Sequence, residues 1–338
     1  MAQEPIRVEI SYKTMLFAVG IIAAVWFLIQ IKAVIILLFV SFILLSALHS
    51  PVDFLEKKKI PRALAILIIY LLILGALTGI FSLIVPPLVA QTKSLFDNLP
   101  AILESINKFI SFYKIPAQDI VSRLASEFGF FGTNFFKITA GFLSSILGVI
   151  TLTVFTFYLL LGWPRIVDLL TSFFSGKQAQ RINQLLNDAE AGIGAWVRGE
   201  LVLMFIVGLL SYIGLFLLGI PYALSLAVVA GLLEIVPIIG PIISAIPAIL
   251  VALFISPILA LAVAALFFVV QQLENHLIVP NVMRRAVGVN PLITILALMI
   301  GAKLGGILGA FLAIPLVVLL KIIGQDLLKP VGEDIPED

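Results

Sequence analysis

The sequence predicts an all-α, polytopic membrane protein with about eight hydrophobic helical segments, two of them broken or re-entrant hairpins. Three observations lead there. Hydrophobic residues make up 62% of the 338 positions, the mean hydropathy is +1.21, and only 12% of residues are charged, about half the roughly 25% of a soluble domain. The apolar residues gather in long uncharged runs, apolar on every face, which excludes the alternating strands of a membrane β-barrel. Prolines and glycines interrupt the longest of these runs in the last third of the chain.

Composition also limits function. A net charge of +2 without an Arg/Lys stripe does not suit a nucleic-acid binder. Absence of cysteine excludes disulfides, thiol chemistry and Cys-ligated metals. Two histidines and no HExxH, GxSxG or Walker motif leave no enzyme constellation, and no cofactor or metal site is expected. The first thirteen residues carry Glu4, Arg7, Glu9 and Lys13, and no small-residue cleavage site follows, so the first apolar run is expected to remain as a span.

Taken in order, the first two uncharged runs are Thr14–Ile31 and Ala33–Val52, expected to form an antiparallel pair around Lys32. Asp53–Arg62 (DFLEKKKIPR) is a compact basic loop. Ala63–Thr92 is the third run, and Pro86-Pro87 should end or bend its helix at the interface. Lys93–Lys137 mixes charges with Leu, Ile and Phe and reads as an extracytoplasmic amphipathic insertion (93–137). Surface helices are expected there at Leu95–Tyr113 and Ala117–Phe128, with an interfacial Gly129–Phe136 stretch. Ile138–Leu161 is the next span, with a stop at Gly162-Trp163-Pro164. Residues 163–200 read as a cytoplasmic amphipathic linker helix with the apolar stripe Ile182, Leu185, Leu186, Ala189, Ile193 and Trp196. It is either a connecting helix or a gating one, with Trp163 and Trp196 at the interface.

Ile220–Ser256 would make a helix of about 55 Å, too long for a hydrocarbon core of about 30 Å. Pro237, Gly240 and Pro241 should divide it into two arms. Ile258–Val279 is a further span, and Pro291–Leu320 is a second broken element with Lys303 near its middle. The basic pairs in Lys57–Arg62 and at Arg284-Arg285 should both face the cytoplasm. An even number of crossings must then separate them, so 220–256 contributes zero or two. The expected organisation is one transmembrane domain (1–325) in the inner membrane, an acidic tail (326–338), and both termini cytoplasmic.

Polar residues embedded in apolar sequence are the candidate site, since an intramembrane charge usually has a partner or lines a polar path. Glu234 precedes the Pro237–Pro241 break, where freed backbone groups can coordinate ions or polar solutes; alternatively it anchors a turn at the interface. Gln271, Glu274 and Asn275 share a helical face, with Gln272 and His276 beside it. That segment is either a polar lining or the interfacial end of a helix. Lys303 is either a hairpin tip reaching water or a counter-charge to Glu234 or Glu274.

These blocks carry a family resemblance. Pro51 and the loop before Pro61-Arg62, VPPLVAQ (Val85–Gln91), EIVPIIGPIISAIPA (Glu234–Ala248), QQLENHLIVPNVM (Gln271–Met283) and GVNPLITILALMIGAKLGGILGAFLAIP (Gly288–Pro315) occur in this order. Together they resemble the AI-2E family of membrane proteins, which includes autoinducer-2 exporters and related permeases. The resemblance covers roughly residues 15 to 325. It implies an all-helical transporter-like fold, homo-oligomers, and export or facilitation without ATP. Glu234, Pro237, Gly240, Pro241, Gln271, Glu274, Pro280 and Pro291 occupy the family's motif positions. Some relatives are linked to signal-molecule export and others to sodium–proton exchange. The expected function is therefore a secondary transporter or exporter of a small polar or amphiphilic solute, with the lipid bilayer and that solute as partners. A sodium(lithium)/proton antiporter and a non-transporting membrane scaffold are the alternatives.

Overall fold

The computed structural model of the protein describes residues 12–112, 146–237, 239–283 and 291–328, and every regular element among them is helical. The expected helix at Ala117–Phe128, the Gly129–Phe136 stretch, Arg284-Arg285 and the end of the acidic tail lie outside the described residues. Six helices are long and apolar enough to cross a bilayer, with shorter apolar helices between them. The chain is a multi-pass, all-α membrane protein.

Helices α1 (Tyr12–Gln30) and α2 (Lys32–Glu56) meet at Ile31. The Ile31 amide donates to the Phe27 carbonyl at 3.0 Å, and its own carbonyl accepts from Val34 and Ile35. With φ −93° and ψ 9° the backbone there stays close to helical, so α1 runs on from α2 through a bend. The expected antiparallel pair does not form. A single residue cannot reverse a helix; helical hairpins need about two to five.

Two expected helix stops are also corrected. Helix α3 (Arg62–Phe112) continues through Pro86-Pro87 and takes in the first expected surface helix. Helix α4 (Ile146–Ser172) continues through Pro164. In an apolar solvent the backbone groups released by leaving a helix have no water to bond, so the flanking ladder persists across an isolated proline. The 163–200 segment is consequently the end of α4, a short turn, and the start of α5 (Lys177–Leu217), rather than one helix. Trp163 and Trp196 are both buried in the bundle. Trp163 lies 5.4 Å from the Phe42 ring and Trp196 5.8 Å from that of Phe311, centroid to centroid.

Helix α5 is the axis of the molecule. The predicted stripe along its first half is its packed face: Ala189, Ile193 and Trp196 are buried, while Asn183, Asn187 and Asp188 stay exposed. Ile193 packs with Ile43 of α2, and Trp196 and Leu203 join a core with Leu298, Ala310 and Ile314. Gly194 lies so close to α2 that a methyl group there would strike the Ser46 carbonyl. Close approach of this kind replaces hydrophobic driving force between helices in lipid.

Helix α5 ends in a Schellman turn. Gly219 (φ 68°) donates to the Phe216 carbonyl, and Ile220 donates to that of Leu215, each at 3.0 Å. Helix α6 (Ala223–Leu233) then folds back along α5. After a break at Glu234–Pro237 the chain returns as α7 (Ile239–Ile255), and α8 (Pro257–Leu273) follows. Leu215, Leu226, Val251, Ala252 and Val263 from these four helices form one core. Helix α10 (Pro291–Leu328) is itself folded, with its kink at Gly305 and Gly306 (φ 61°, ψ −143°). Gly301 and Gly309 face each other, and a methyl on either would hit the other's carbonyl. Both expected hairpins are present. At 1.5 Å per residue, α6 reaches about 16 Å and the first arm of α10 about 21 Å, each shorter than a hydrocarbon core of about 30 Å.

One end of the bundle is ionic. Arg62 pairs with Asp53 (3.1 Å) and Glu56 (2.6 Å), and its Nε donates to the Leu160 carbonyl. His49 meets Glu190 of α5 at 3.0 Å, and Arg181 meets Asp326 of α10 at 2.8 Å. The basic loop, the first half of α5 and the end of α10 therefore share a face. At the opposite end, Ser94 Oγ of α3 lies 3.3 Å from the Tyr222 hydroxyl.

The break between α6 and α7 is sterically exacting, because a methyl at Gly240 would collide with the Leu233 carbonyl, whereas Gly79 of α3 has open space around it. Gly240→Ala should lower stability by about 1–3 kcal/mol, and Gly79→Ala should leave it unchanged or raise it slightly. Thermal unfolding of the purified variants in one detergent compares the two.

Candidate functional site

Three acidic side chains from three elements meet where the first hairpin turns. Glu234 sits at the break and is 1% exposed; Glu274, just past the end of α8, is 5% exposed; Glu200 of α5 is 3% exposed. The fold brings them together simply. Helix α6 runs back along α5, with Gly231 beside Gly208, so the next turn reaches the level of Glu200. Helix α8 then passes the same level from the other side.

The turn itself is made by the proline–glycine sequence. Val236 donates to the Leu233 carbonyl at 3.0 Å, Gly240 to that of Val236 at 2.8 Å, and Ile239 to that of Pro237 at 2.8 Å. These short-range bonds reverse the chain within the break while α7 starts at Ile239. Pro241 lies in the first turn of α7, where its missing amide costs little, and its carbonyl accepts from Ser244 Oγ at 3.0 Å.

The Gln271–His276 segment adopts an unusual conformation. From Glu274 to Ile278 the helix widens into a π turn before the short α9 (Val279–Val282). Single π turns inside α-helices are rare and concentrate at functional sites. Gln271 Nε2 donates to Glu274 Oε2 at 3.0 Å and to Asn275 Oδ1 at 3.4 Å. Gln272, Asn275 and His276 are exposed, and His276 Nδ1 lies 3.0 Å from the Gln272 carbonyl. The segment thus turns Glu274 inward and three of its polar neighbours outward.

The Glu234 and Glu274 carboxyls lie within electrostatic reach of each other. Two buried carboxyls that close disfavour each other's charge, so a proton or cation stabilises the pair. Glu234 Oε2 and Glu200 Oε1 are buried and find no donor among the described residues. No three acidic or histidine side chains among the described residues converge closely enough to hold a metal ion.

Of the sequence candidates, Glu234, Pro237, Gly240, Pro241, Gln271 and Glu274 lie at or beside this site. Lys303 does not. It is exposed near the tip of the α10 hairpin, which decides between its two readings in favour of the tip. Sequence reasoning missed Glu200, because it follows the polar first half of α5 and there reads as one more charge of the linker. The signal was its position at the boundary, four residues after the buried Trp196 on the same helix face.

Comparison with known proteins agrees with this architecture. The AI-2E family transporter profile matches residues 15–329. YueF of Bacillus subtilis is 33% identical over 296 residues, covering 82% of this chain and 80% of its own. YrrI of the same organism is 29% identical over 308 residues, covering 88% and 87%. YhhT of Escherichia coli K12 is 26% identical over 300 residues, covering 86% and 83%. Each is named only as a candidate transport protein. With the match running through both hairpins and the carboxyl cluster, the chain belongs to the AI-2E transporter family.

Proposed function

We propose that this protein is a secondary transporter that moves a small polar or amphiphilic solute across the cytoplasmic membrane without ATP and without catalysis, using the Glu234–Glu274 pair as part of its path. The observation that carries this reading is the carboxyl pair itself, buried at a helix break and braced by Gln271 across a π turn. An apolar bundle gains nothing from such a group, since truncation to apolar side chains of similar shape is often neutral or stabilising. A solute path needs acceptors and an exchangeable proton in a protected place.

The ionic end of the bundle supports one orientation. The basic loop Lys57–Arg62 favours the cytoplasm, and α5 and the end of α10 share that face. The insertion beginning at Lys93 is then extracytoplasmic. A cytoplasmic N-terminus rested on α1 pairing antiparallel with α2 and loses that basis. The two hairpins leave large apolar surfaces on α1, α3 and α10, with Leu16, Leu71 and Leu304 extensively exposed, which suits lipid and a homo-oligomeric assembly. The carboxyl pair also suits sodium- or lithium–proton exchange, which a solute-free ion-flux assay separates from export.

In proteoliposomes, Glu234→Gln and Glu274→Gln should each reduce solute flux about tenfold or more with insertion and oligomer size retained. The double variant should lose less than the two single losses combined, because the groups act together. Wild-type flux in both single variants would make the carboxyls structural. For orientation, single cysteines at Asn107, Gln184 and Asn281 can be placed in the naturally cysteine-free chain. Only the first should react with a membrane-impermeant thiol reagent on intact cells; reaction at Gln184 would invert the topology.

A further inference from the structure

Glu200 is the group that neither the sequence motifs nor the transport reading uses. It lies about 26 Å along α5 from Leu217, and Glu274 lies about 26 Å along α8 from Pro257. Both therefore sit towards the ionic end of the bundle, close to the edge of a hydrocarbon core of about 30 Å. Glu200 is within electrostatic reach of Glu274, and Glu234 is within reach of both. Its neighbourhood is otherwise apolar: Gly199 is backed by Met283 and Val282, and Trp196 and Leu203 flank it on α5.

The charged groups around it are committed elsewhere. Arg198, on the other side of α5, reaches the Ser46 and Ala47 carbonyls of α2. On α2, His49 and Asp53 belong to the ionic end, where His49 bridges Asp53 and Glu190. On α10, Asp326 holds Arg181 and Lys303 is exposed near the hairpin tip. Beyond α8, His276 is exposed and turned to its own backbone. Arg284 and Arg285 follow Met283 and lie outside the described residues. Three buried carboxyls without a described counter-charge, two of them with a buried oxygen lacking any donor among the described residues, favour the proton-carrying form in an apolar interior.

We propose that Glu200 completes a three-carboxyl site with Glu234 and Glu274 that loads and releases protons near the cytoplasmic face, making the proton the coupling ion for solute movement. The site rests on the burial of the three carboxyls and their unpartnered oxygens; the coupling rests on the transport reading. Each loading step adds one water-borne proton to one carboxylate oxygen, and release returns it to water.

The test has two arms. In lipid nanodiscs without solute, infrared difference spectra between acidic and alkaline buffer should show buried carboxyl C=O bands that titrate. Glu200→Gln should remove part of that signal and shift the titration of the remainder. Glu200→Asp, which keeps a carboxyl, should restore a titrating band. A Glu200→Gln spectrum identical to wild type overturns the proposal, as does loss of the protonated bands when sodium is added at constant pH, which would make the site a metal exchanger. In proteoliposomes, an imposed pH gradient should drive solute accumulation by the wild type. Glu200→Gln should lower gradient-driven accumulation about tenfold, and Glu200→Asp should restore part of it. Undiminished accumulation overturns the coupling. A wild-type protein that titrates normally but moves no solute upholds the proton site and sinks the transport reading.

Discussion

A helix in hydrocarbon can be interrupted only where other protein covers the break, because an unbonded amide or carbonyl has no water to turn to. Among the described residues two hairpins carry such interruptions, at Glu234–Pro237 and at Gly305-Gly306, and α5 flanks both. Its length of 41 residues lets one helix carry a face for α2, a face for α6 and α8, and a face for α10. Small residues make this possible. Gly194, Gly208 and Gly231 bring backbones together where larger side chains would hold them apart.

The same rule explains which prolines matter. Pro51, Pro164, Pro247 and Pro315 all sit inside helices that continue past them. Pro237, by contrast, stands in the break between α6 and α7. There Gly240 permits the close approach to the Leu233 carbonyl, and the Pro237 carbonyl is used by Ile239. A proline removes one hydrogen bond; reversing the chain requires in addition a neighbour small enough to let the returning arm begin at once.

Charges are sorted by the same physics. At the ionic end, acids and bases pair: Arg62 with Asp53 and Glu56, His49 with Glu190, Arg181 with Asp326. These ties join the starts and ends of α2, α3, α5 and α10 at a wet boundary, where a broken pair can be solvated. At the hairpin turn, acids meet acids in an interior that excludes water. Such an arrangement adds nothing to stability. The π turn fits this view: widening the helix at Glu274 directs one carboxyl inward while Gln272, Asn275 and His276 face out.

Sequence alone determined the solvent and the elements. Uniformly apolar runs have one stable environment, and their lengths, set against bilayer thickness, already required 220–256 and 291–320 to fold back. It also picked out Glu234 and the Gln271–Glu274 face, because a carboxylate within such runs is conspicuous. Tertiary structure decided what depends on approach between distant segments. The bend at Ile31, the continuity of α3 and α4 through their prolines, and the burial of Trp163 and Trp196 follow from packing that no local pattern records. Glu200 is the clearest case. In the chain it looks like the last charge of a polar helix, and it meets two more buried carboxyls only because α6 and α8 deliver them to its level from more than thirty residues away.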